Sequence, residues 1–141
     1  MEIAHHMRLA AEWQDSLKKL DPETDCLAIC EIAMMLGTAL LNAALHGAGI
    51  TAPDGDQRHS RKPRHAAASL GGYPKDVRAM FDDLFEIECM RQWLCRGIVE
   101  EGSTVDPGIS AAAAAGQCIA RIAAMRKRAA TVVAARQGEV A

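Results

Sequence analysis

Residues 22–46 read PETDCLAICEIAMMLGTALLNAALH, and how this stretch folds decides the architecture of the whole chain. Leu27, Ile29, Ile32, Met34, Leu36, Leu40, Leu41 and Leu45 spread over nearly every face of a helix. Such a helix, roughly 37 Å long at 1.5 Å per residue, belongs at the centre of a bundle or in an interface with a second subunit. Asp21 before Pro22 reads as an N-cap followed by proline at the first helical position, and Gly47 and Gly49 read as a glycine stop.

Three further amphipathic stretches flank it. Ile3, Met7, Ala10, Trp13, Leu17 and Leu20 recur at steps of three and four, which predicts a helix over 3–20. Val77, Phe81, Leu84, Ile87 and Leu94 predict one over 74–96, the acidic element. Ala115, Cys118, Ile122, Met125, Ala129 and Val132 predict one over 109–136, whose alanines favour close packing. Residues 47–73 carry the prolines, glycines and charges of a long loop. The expectation is an all-α single domain over 1–141, an antiparallel four-helix bundle with one long loop between helices 2 and 3.

Composition agrees. Half of the 141 residues are apolar but only 4% are aromatic, so the apolar content is Ala, Leu, Ile and Met, which favour helix over strand. A formal charge of −2 excludes a chain-wide positive field for holding nucleic acid, so any polyanion contact must be local. Cys26, Cys30, Cys89, Cys95 and Cys118 lie in helical patterns without paired two-residue spacing and read as small buried hydrophobes. The first twenty residues mix charge with apolar residues, and Glu31, Thr38 and Asn42 interrupt the longest apolar run. No signal peptide and no membrane partner are therefore expected, and the location expected is cytoplasmic. His5 and His6 read equally as native residues or as the remnant of an added tag.

Three constellations could carry chemistry. In the first, Arg58, His59, Arg61, Lys62, Arg64 and His65 crowd eight positions. Arginine forks suit phosphate and histidine moves protons near neutral pH, which together meet the needs of a metal-independent ribonuclease; a solvated basic loop is the plain alternative. In the second, Glu31, Thr38, Asn42 and His46 keep within one arc of helix 2. They line either a polar cleft, with Glu31 and Asn42 orienting His46 or a phosphate-sugar group, or the face that meets solvent. In the third, Asp83 and Glu86, with Glu12 and Asp15 as a further pair, could hold Mg²⁺ against a nucleotide or form a solvated acidic face. A glycine-rich phosphate loop, a serine elbow and a His-Glu-x-x-His are all absent, so no metal ligand set and no cofactor are expected.

The apolar second helix ending in Leu40-Leu41-Asn42-Ala43-Ala44-Leu45-His46-Gly47, followed by Arg58, His59 and His65, resembles the HEPN superfamily of small helical bundles. Membership would imply a homodimer with two basic loops facing across a shared cleft, Arg58, His59 and His65 as catalytic residues, and Arg61, Lys62 and Arg64 on phosphate. The ligand would be RNA or a nucleotide. Two other functions are compatible with the sequence: a non-catalytic module contacting a partner protein, and a Mg²⁺-dependent nucleotide hydrolase.

Overall fold

A computed structural model of the chain describes residues 1–56 and 72–140, without the side chains of 139 and 140. Among the described residues there are four helices: α1 (Ile3–Lys18), α2 (Cys26–Gly47), α3 (Lys75–Arg96) and α4 (Ala111–Val140). The protein is an all-α four-helix arrangement, as its periodicity implies.

The start of α2 departs from expectation by four residues. Asp21 accepts the Glu23 N–H at 2.8 Å through its carboxylate, and its carbonyl accepts the Asp25 N–H at 2.7 Å. Residues 21–25 thus form a turn held by an aspartate side chain, which competes with helix for the same donors. Leu20 also falls outside α1. The other ends follow familiar stops. Gly49 at φ 73° and Gly97 at φ 66° adopt the left-handed conformation just past α2 and α3, and Gly97 and Ile98 return their N–H groups to Trp93 and Gln92. Ser110 caps α4 by accepting the Ala113 N–H at 3.1 Å.

Contacts between helices give their directions. His6 meets His46 and Met7 and Ala10 meet Leu40, so α1 runs antiparallel to α2. Glu31 pairs with Arg91 while Gly37 faces Leu84, so α3 is also antiparallel to α2. Arg121 binds Asp83 and Arg128 binds Asp76, which makes α4 antiparallel to α3 and parallel to α2. In an up-down-up-down bundle α2 and α4 form a diagonal pair, yet they share the largest interface in the molecule. Small residues cause this. Cys30 and Gly37 of α2 meet Cys118, Ile122 and Met125 of α4, and Ala114, Ala115 and Ala129 are fully buried. The square is thereby flattened into a rhomb whose short diagonal is α2–α4, and α1 rests on α2 while scarcely touching α4.

The 22-residue α2 is apolar and long enough by composition to cross a membrane, but here the other three helices cover it. All five cysteines are free thiols, four of them buried. Burial, aided by the nearby Glu31 carboxylate, pushes the thiol of the half-buried Cys95 up to about 11.

Candidate functional site

The antiparallel pairing of α1 with α2 brings the first turns of α1 against the last turn of α2. His6 and His46, 40 positions apart in sequence, come to lie with ring centroids 5.3 Å apart. The loop after α2 then turns Asp56 onto both rings. His6 Nε2 lies 2.8 Å and His46 Nε2 2.7 Å from the same oxygen, Asp56 Oδ1. Asp56 Oδ2 lies 3.2 Å from the terminal ammonium of Met1, which also donates to the Pro53 carbonyl. Both imidazoles are buried, with side-chain exposures of 5% and 2%, whereas Asp56 keeps 29% and forms the open side.

The second nitrogen of His46 is braced. Its Nδ1 lies 2.7 Å from Thr51 Oγ1 and 3.2 Å from the Thr51 carbonyl oxygen. Two tautomers fit this geometry: with Nε2–H donating to Asp56 Oδ1, Nδ1 accepts from the Thr51 hydroxyl; with Nδ1–H donating to the Thr51 oxygens, Nε2 turns its lone pair toward Asp56. The second tautomer is the one that a metal ion on Nε2 would select. Burial holds the His6 pKa below the usual histidine value, outweighing the pull of the Asp56 carboxylate and favouring the neutral ring. Burial also opposes ionisation of Asp56. The hydrogen bonds from His6, His46 and the amino terminus outweigh it and hold the carboxyl below its ordinary value.

Two imidazoles and a carboxylate form a donor set for a borderline divalent ion such as Zn²⁺, Co²⁺ or Fe²⁺, whereas Mg²⁺ and Ca²⁺ prefer oxygen alone. Among the described residues this is the only trio of His, Cys, Asp or Glu close enough to share an ion, its ligand atoms all lying within 4.8 Å of one another. Ligands at about 2.0–2.1 Å in tetrahedral array stand roughly 3.3 Å apart, so an ion requires the contacts to open by about half an ångström. Asp56, on a loop and partly exposed, is the group able to give way. Thr51 would supply the outer hydrogen bond that fixes a metal-bound imidazole.

The residues singled out from sequence fare differently. His46 lies in this cluster, and Asn42, one turn earlier, is buried. Glu31 is exposed, about 22 Å further along the helix axis, and pairs with Arg91 at 3.5 Å and Arg96 at 3.6 Å. The polar stripe therefore does not border a single cleft. Thr38 turns its hydroxyl back to the Met34 carbonyl at 2.8 Å. Asp83 is engaged by Arg121 at 2.9 Å, and Glu86 accepts from Thr104 at 3.1 Å, so the acidic pair is divided between two partners. Arg58, His59, Arg61, Lys62, Arg64 and His65 lie outside the described residues. His6 and Asp56 belong to no motif; the only hint in the sequence is a histidine on the apolar side of the first helix, one residue before Met7.

No family model, curated protein or solved structure matches the chain.

Proposed function

We propose that the protein binds one divalent transition-metal ion through His6, His46 and Asp56. The observation that carries this reading is the convergence of both Nε2 atoms on one carboxylate oxygen while Thr51 occupies His46 Nδ1. Three protein ligands leave a fourth position on the exposed side of Asp56, the arrangement of a site that admits water or a ligand. The expected result is binding of one Co²⁺ or Zn²⁺ per chain, with Co²⁺ developing a visible absorption band. His46→Ala and His6→Gln abolish the band while circular dichroism stays helical. His5→Ala retains it, because His5 lies on the flank of α1 against Arg8. Binding that survives His46→Ala, or no uptake at micromolar ion, overturns the proposal.

The spacing in sequence favours a second reading. Arg58, Arg61, Lys62 and Arg64 follow Asp56 by two to eight positions, and a phosphate-bearing ligand, RNA or a nucleotide, suits such cations. In its HEPN-like form the protein is a homodimer that cleaves labelled RNA in the presence of EDTA, and Arg58→Ala with His65→Ala removes the activity. Cleavage that EDTA stops belongs to the metal site instead. RNA binding that does not weaken as salt rises would exclude phosphate contacts.

A further inference from the structure

A groove between α1 and α4 follows from the flattened bundle and lies apart from the histidine cluster. Its floor is Leu40 of α2; Met7, Ala10 and Ala11 form one wall, and Ala123 and Ala130 the other, around a cavity of about 470 Å³. A second cavity of about 460 Å³ continues it past Ile3 and Val133, and Met7 lines both. The two make one trough along Ala123–Arg136, about 20 Å or nearly four helical turns.

The trough is apolar below and cationic at its edge. Arg126 and Lys127 border the first cavity and Arg136 the second, all exposed. Among the described residues none of the three has an acidic partner, although elsewhere on α4 Arg121 and Arg128 each bind an aspartate of α3. The walls are built largely of alanine, so large side chains must come from outside to fill the space. The volume suits the apolar side chains of one helix face, not a whole helix, with the backbone riding above.

We propose that this trough docks an amphipathic α-helix of a partner protein, its apolar face on Met7, Leu40 and Ala130 and its flanking acids on Arg126, Lys127 and Arg136. Charge selects this occupant: a row of cations without acidic partners among the described residues, beside an apolar floor, complements a helix with Leu at i, i+3 or i+4 and i+7 and Glu alongside.

The test uses the full chain and a fluorescent 14-residue peptide with four leucines on one face and glutamates flanking them. Anisotropy is expected to show saturable binding in the micromolar range, at least tenfold weaker for the peptide with lysines in place of the glutamates. Ala130→Glu, at an exposed position, is expected to weaken binding tenfold or more without loss of helix content; Arg126→Gln with Arg136→Gln should erase the preference for glutamate. Equal affinity for both peptides, or no saturation at all, overturns the proposal. So does binding to vesicles containing phosphatidylserine that the peptide cannot displace, since the face would then serve a membrane surface.

Discussion

Glu88→Ala is expected to destabilise the protein by about 3–5 kcal/mol, the scale of breaking one side of a buried ion pair. Glu88 is 1% exposed and both its carboxylate oxygens are taken by Arg91, from Nε at 2.8 Å and from the guanidinium NH2 at 2.9 Å. Without Glu88 the guanidinium, itself buried, keeps among the described residues only Glu31 at 3.5 Å, a half-exposed residue. Total stabilities of domains are about 5–15 kcal/mol, so a large share would go. A urea titration reads the loss directly, and replacing both residues by Leu and Met should restore much of it, because no charge is then stranded. A single-variant loss below about 1 kcal/mol would mean that water reaches Arg91 and the pair is not buried in solution.

Saturating Zn²⁺ is expected to raise the unfolding midpoint by about 5–10 °C. A ligand at a hundredfold excess over its dissociation constant adds about 2.7 kcal/mol to the native state when the unfolded chain does not bind it, and a domain of this size gains a few degrees per kcal/mol. The shift should vanish in Asp56→Ala and in His46→Ala and persist in His5→Ala. The site joins α1 to the loop after α2, segments 50 positions apart in sequence at His6 and Asp56, so an unfolded chain does not preassemble it. Mg²⁺ at the same concentration should give no shift, for want of affinity for imidazole.

The four helices were legible because their signal is periodic and local. Leu40, Leu41 and Leu45 in one run, and Cys118, Ile122, Met125 and Ala129 in another, require a buried helix wherever the chain leads. The first turn of α2 was less so, because the proline rule competes with an aspartate turn and the sequence does not show that Asp21 captures the Glu23 N–H. The candidate site was legible only in His46. Its partners are brought by the antiparallel return of α1 and by the turn at Thr51, neither of which leaves a spacing to recognise. Asp83 shows the converse: its spacing from Glu86 suggested a shared ion, but an arginine 38 positions away claims it.

The N-terminal helix bears His6 at its inner edge and Met7 on the wall of the trough, one residue further on, while it has little attachment to α4. Its seating is therefore common ground for the two proposed ligands. An ion clamped by His6 restrains the same turn that a docked peptide needs held still, so occupancy of either place should favour occupancy of the other, and by the reciprocity of coupled equilibria to the same degree.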